Sequence, residues 1–240
     1  MSVNSNTFFQ YNETRALSGY RSAWLVKRPG ATKYSLVGAT ETVPYVFGDK
    51  DEFEFDILQS PTKGKVEGKP TLESQDIEVL HHRDNAYRFE KLKNQTLDFM
   101  VVNAEFVGYK FVGTLDYRPN NAEADVNRAT VTITPMSATA TPILDARAEV
   151  EETLCFKNSI PATVKVGDKI DCSVAQTVQS ATVSAVKIGA NNAETAAATS
   201  EVTTTSISEI TMLAVGLYAL TVSATGYASW TTTVYVEAAS

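Results

Sequence analysis

The chain has 240 residues, 43% of them hydrophobic and 20% charged, and a formal net charge of −7. That length suits one large domain or two ordinary ones with cores that need no covalent staples. The acidic balance disfavours tight binding to a phosphate backbone, though not DNA sliding past without adhering.

No segment approaches the ~20 continuous apolar residues of a membrane span, so no membrane partner is expected. The opening MSVNSNTFFQYNETR has neither a basic start nor an apolar run of signal-peptide length, and folding in the cytosol is expected. Cys155 and Cys172 are then expected reduced. They lack a CxxC spacing, and two cysteines cannot build a structural zinc site.

Composition changes in mid-chain. Residues 1–157 carry 18 Lys/Arg and 22 Asp/Glu, whereas residues 158–240 carry 3 and 6 and are built from Thr, Ser, Ala and Val. Arg147 is the last arginine. The break predicts two units, 1–157 and 158–240, and a mainly β protein of antiparallel sheets with one short helix.

Period-2 alternation dominates the first unit. Phe53, Phe55 and Ile57 interleave with Glu54 and Asp56; Ile77 and Val79 with Asp76 and Glu78. Val107, Tyr109, Phe111, Leu115 and Tyr117 interleave with Lys110, Thr114 and Asp116, and Val131 and Ile133 with Thr130, Thr132 and Thr134. Each set puts apolar side chains on one face and polar ones on the other, as in half-buried antiparallel sheets. AYRFEKLKNQ predicts a short helix capped by Asp84 or Asn85, with Lys91 and Lys93 near its C-terminal end; alone it is too short to be stable. Residues 145–156, DARAEVEETLCF, read as a strand, with a helix as the alternative.

Two connections are long. Residues 59–71, QSPTKGKVEGKPT, hold two Pro, two Gly and Lys63, Lys65 and Lys69, which predicts an exposed excursion from a sheet. Its lysines read either as a solvated loop tip or as a docking arm that reaches an acidic patch on another copy. Residues 118–128, RPNNAEADVNR, form a second polar loop.

In the second unit six short strands are expected: 163–166, 169–174, 181–188, 202–210, 217–224 and 229–237. About six strands at this spacing read as a β-sandwich. Gly216, Tyr218 and Leu220 have the spacing of the tyrosine corner of immunoglobulin-like domains. Leu220 stands where a disulfide-bonded member has cysteine, so Cys172 fits a bridge-free version.

No cluster of chemistry is evident. His81 and His82 are adjacent, so on a strand they point to opposite faces and cannot easily share a metal. No nucleophile-elbow, Walker, HExxH or GxGxxG motif occurs, and the acid pairs Asp51/Glu52 and Glu151/Glu152 read as the wet face of a sheet. No catalytic residue, metal or cofactor is expected.

The first 155 residues resemble the major tail protein, the tail-tube subunit, of long-tailed bacteriophages. The likeness lies in the order of a strand DIEVLHH, a helix DNAYRFEKLKNQ, a strand TLDFMVVN, a long strand EFVGYKFVGTLDYRPNNAEAD and a closing RATVTITPMSAT. Members often append an immunoglobulin-like domain, which the second unit would be. The resemblance implies hexameric rings whose inner sheets join into one barrel, stacked into a tube through which DNA leaves the capsid. It implies as partners further copies of the chain and other tail proteins at the tube ends, and a location in the virion tail after assembly in the host cytoplasm. Residues 47–72 match the family's loop between rings, with Lys63, Lys65 and Lys69 at its tip. Glu54, Asp56, Asp76 and Glu78 become candidates for a lumen that repels DNA. The second unit would decorate the exterior, with weak glycan or host-surface contact.

Two rivals remain. An extracellular adhesin or carbohydrate-binding sandwich predicts a secretion signal and a platform of exposed rings, whereas Trp24 and Trp230 are isolated in sequence. A small enzyme on a β scaffold predicts clustered acids, or His beside a nucleophile, at strand ends.

Overall fold

The computed structural model describes residues 23–37, 47–55, 64–103, 106–120, 127–137 and 139–239; the side chains of 47–55 and 64–71 lie outside that description. The protein is mainly β, with antiparallel sheets and one α-helix among the described residues.

The first sheet takes β1 (Ala23–Lys27), β2 (Ser35–Leu36), β5 (Gln75–Leu80), β6 (Thr96–Val102), β7 (Gly108–Pro119), β8 (Arg128–Pro135) and β9 (Thr141–Ile143), in the order β2-β1-β6-β7-β8-β5, with β9 also on β7. The long strand β7 organises it. One edge pairs with β6 from Gly108 to Thr114; the other pairs first with β9 and then, from Gly113 on, with β8. Two glycines permit this crowding. A Cβ on Gly108 would stand 1.7 Å from the Val101 carbonyl oxygen, and one on Gly113 would stand 2.7 Å from that of Thr134.

This sheet makes two cores. Trp24, Val26, Phe99, Phe111, Leu115, Tyr117, Ile77, Val79, Val131 and Ile133 pack on one face. The helix α1 (Arg83–Leu92) adds Phe89 and Leu92 to it. Ala23, Leu25, Met100 and Val102 point the other way, into a smaller core closed by Tyr34, Phe106, Ile143, Ala146 and Val150. β1 and β6 are therefore buried on both faces.

The expected cap of α1 is not the one observed. His82 occupies the cap position in extended conformation and makes no side-chain cap bond. Asp84 lies in the first turn and bonds to the second unit. The Asn85 amide donates to the Leu80 carbonyl (2.8 Å) and accepts from Arg88 (2.9 Å). Tertiary partners have taken both side chains that the local sequence offered for capping.

Residues 145–156 form neither the expected strand nor a helix. A turn at 147–149 is followed by three isolated bridges, Tyr34 to Val150, Thr153 to Ala228 and Phe156 to Val174. The chain is changing bodies here. Val150 sits in the first unit's smaller core, whereas Leu154 and Phe156 sit in the core of the second. Core membership thus switches between Val150 and Leu154, a few residues before the composition boundary.

The expected long excursion is also shorter than read. β3 (Phe47–Phe55) and β4 (Gly64–Leu72) form a two-stranded ribbon that pairs with no other described strand. Residues 64–71, expected in the loop, are strand.

The second unit has two sheets. One has five strands in the order β10 (Thr163–Lys165), β17 (Trp230–Glu237), β16 (Gly216–Ala224), β12 (Ala181–Ile188), β13 (Glu194–Ala196); the other has three, β11 (Lys169–Ile170), β15 (Glu209–Met212), β14 (Val202–Ser206). This five-on-three order is that of an immunoglobulin-type sandwich. Its one parallel pair joins β10 to β17. The expected strand 202–210 is a hairpin of two, and 169–174 shrinks to two strand residues.

Candidate assembly surface

β5, β8 and the second half of β7 are apolar on one face only. Their other face presents Asp76 and Glu78 from β5, Arg128, Thr130, Thr132 and Thr134 from β8, and Thr114, Asp116 and Arg118 from β7. Strand register makes this face continuous: Asp76 and Asp116 both stand opposite Thr132, and Glu78 opposite Thr130. The Thr132 hydroxyl donates to Asp76 at 2.6 Å. Arg118 holds Asp116 below the usual carboxylate range by a 2.8 Å contact, with Lys93 3.2 Å away. The face is wet, hydroxyl-rich and studded with acids. Of the acids named from sequence it brings Asp76 and Glu78 together. Asp56 lies outside the described residues, and Glu54 is in β3 opposite Lys65, away from this face in the sheet order.

β5 ends the sheet, and among the described residues its outer edge has no strand partner. The β3–β4 ribbon enters this edge through Glu73 and Ser74 alone. Nine-residue strands give such a ribbon a reach of about 30 Å. Lys65 and Lys69 lie on β4 rather than in a loop, and Lys63 lies outside the described residues.

The other residues singled out from sequence fall into structural roles. His81 Nδ1 lies 2.6 Å from the Tyr117 hydroxyl, and His82 begins the helix. Burial, with Glu90 nearby, pushes the Tyr117 hydroxyl up to about 12, so it stays protonated as the partner of His81. Among the described residues no group of three His, Cys, Asp or Glu is placed to hold a metal. Trp24 and Trp230 are both buried, in different units.

Cys155 and Cys172 are not joined in a disulfide; burial raises both thiols, Cys172 to about 12. Cys172 and Leu220 share the sandwich core. Tyr218 is fully buried there too, but its hydroxyl has no hydrogen-bond partner. The corner bond to the backbone that defines the motif is therefore missing. Gly216, at φ +152°, leaves space that a Cβ would fill at 3.1 Å from Lys187 Cε and in van der Waals contact with the Tyr218 ring.

What the sequence did not reveal is the contact between the units. Helix α1 lies against β17. Asp84 accepts from the Thr232 hydroxyl (2.9 Å) and from the Thr233 amide (2.7 Å) and hydroxyl (2.5 Å). The Arg88 guanidinium stacks 3.9 Å from the centre of the Trp230 ring. Lys91 pairs with Glu194 at 2.8 Å. No spacing rule links residues 148 positions apart, so only the run of polar residues on a helix expected to bury one face could have hinted at it.

No protein-family model matches this chain, and no curated protein does either. No helix among the described residues is long and apolar enough to cross a membrane.

Proposed function

We propose that this chain is a structural virion protein, the subunit of a phage tail tube, which polymerises as stacked hexameric rings around a DNA-conducting lumen. The observation that carries the reading is the asymmetry of the first sheet. It combines a strand edge with no strand partner among the described residues, one wet Asp- and Thr-rich face, and a ribbon leaving from that same edge. An open edge is a template for another chain, and closing a ring of such sheets removes it. On the wet face Asp76, Glu78 and Asp116 are matched by Arg118, Arg128 and Lys93, so turned inward it would offer phosphate no net positive charge, and DNA could pass without adhering. The ribbon is long enough to touch a neighbouring ring. The contact is heterologous, the kind that stacks without limit. The sandwich would sit outside. The adhesin reading draws less support, because both tryptophans are buried and offer no stacking platform.

Concentrated pure protein examined by negative-stain microscopy should show rings or tubes. Dispersed monomers across salt and temperature would defeat the proposal. Changing Lys63, Lys65 and Lys69 together to Glu should leave the fold intact and block stacking; normal tubes from that variant would refute a docking role for the ribbon.

A further inference from the structure

The outer edge of β17 is only partly used. β10 pairs with it at Tyr235, Val236 and Glu237 and does not extend to Thr232 and Thr233. An unpaired edge is both a hydrogen-bonding cost when covered and a hazard when open. Helix α1 fills the gap. The Asp84 carboxylate takes the Thr233 amide and the hydroxyls of Thr232 and Thr233, so one side chain satisfies a backbone donor and two side-chain donors of another unit. Hydrogen bonds to a charged acceptor are the strong ones. Two helical turns further on, about 10 Å along the axis, Lys91 reaches Glu194 at the far edge of the same five-stranded sheet.

We propose that Asp84 is the keystone of a latch that holds the sandwich at one fixed orientation on the first unit, so that the two move as a single body. Attachment at one point would leave a hinge. Attachment at β17 and again at Glu194, the first residue of β13 and three strands away in the same sheet, removes the rotation as well as the separation. Between the two ties the packing is open: a cavity of about 310 Å³, lined in part by Tyr87, Ile188 and Leu217, separates helix from sheet. The Asp84 and Lys91 ties therefore act together with the Arg88 stack on Trp230 and the bond from Arg83 to the Ala162 carbonyl, and Asp84 is the member that takes three donors at once. The proposal rests on contacts within one chain and is independent of the assembly reading.

The test uses the full chain and two readouts. Hydrogen exchange follows the Thr233 amide, and zero-length carbodiimide coupling of Lys91 to Glu194 reports the distant end of the latch. Asp84→Ala should speed exchange at Thr233 by about tenfold or more. It should also lower the Lys91–Glu194 coupling yield several-fold, while amides of β6 and β16 keep their protection. Should Asp84→Ala fail to fold, Thr232→Val with Thr233→Val removes the two hydroxyl bonds from the other side and should lower the coupling by a smaller factor, since the amide of residue 233 still bonds Asp84. Wild-type protein that gives no Lys91–Glu194 product, or a folded variant of either kind that couples as well as wild type, overturns the proposal.

Discussion

The two ends of the first sheet solve the same problem in opposite ways. At β1 and β6 both faces are dry: Trp24, Val26 and Phe99 pack one way, Leu25, Met100 and Val102 the other, all within a few percent of full burial. At β5 and β8 one face is buried, with Ile77, Val79, Ala129, Val131 and Ile133, and the other carries Asp76, Glu78, Thr130, Thr132 and Thr134, with Leu80 opposite Arg128 at its end. At the dry end the segment from Ile143 to Val150 covers the second face. The wet end keeps an exposed face and an unpaired edge. The sheet is thus anchored at one side and available at the other, and that polarity gives any self-association a direction.

Substitutions should register the contrast. Gly108→Ala is expected to have the largest effect, because its methyl would collide with the backbone of β6 and no rotamer can relieve that. Loss of about 4 kcal/mol or more, or failure to fold, is expected in chemical denaturation. Phe99→Ala removes a fully buried ring at the dry end and should cost about 3–5 kcal/mol. Thr132→Ala at the wet end loses an exposed bond to Asp76 and should cost less than ~1 kcal/mol. A Thr132→Ala variant as damaged as Phe99→Ala would erase the distinction between the ends.

Alkaline pH probes both cores at once. Burial raises Tyr34, in the smaller core, and Tyr117, in the larger, from 10.0 to about 12; Asp98 and Glu149 add to the first and Glu90 to the second. The folded state holds these protons more tightly than the unfolded state. Their contribution is complete below pH 10 and is lost as pH rises toward 12, on the order of 2 kcal/mol for each group. Stability measured between pH 9 and 12 should fall steeply, and Tyr34→Phe or Tyr117→Phe should each flatten the fall. A profile indifferent to both changes would mean that neither hydroxyl is dry.

Much of this architecture is legible in the chain. Alternation located β5, β7 and β8 because each has one wet face, and period 2 is visible only where the faces differ. The same rule explains the silence at β1, where AWLVK is apolar throughout and buried on both sides. The strand expected at 181–188 has those bounds, with Gly189 ending it. The segment 145–156 misled because its apolar residues serve two different cores in turn, which no periodicity encodes. The candidate surface was half legible: Asp76 and Glu78 follow from alternation, but Asp116 joins them only through the pairing of β7 and β8 across Thr132. The junction at Asp84 was hidden for a further reason. An Asp near a helix start reads locally as a cap, and here it serves a strand 149 residues away.

The smallest expected effect lies on the wet face itself. Arg118 and Lys93 depress the Asp116 carboxyl below its ordinary value of 3.8. A depressed acid stabilises the fold above that value and ceases to do so as pH falls through the folded one. Asp116→Asn should therefore weaken the protein slightly at pH 7 and not at pH 2. The difference should stay below ~1 kcal/mol, since the groups are solvent-accessible and screened by salt. Raising salt should shrink it further. If the pH 7 penalty instead reached several kcal/mol and ignored salt, Asp116 would have to be desolvated. The face that carries it would then be covered within a single chain, leaving no wet surface there to turn toward a lumen.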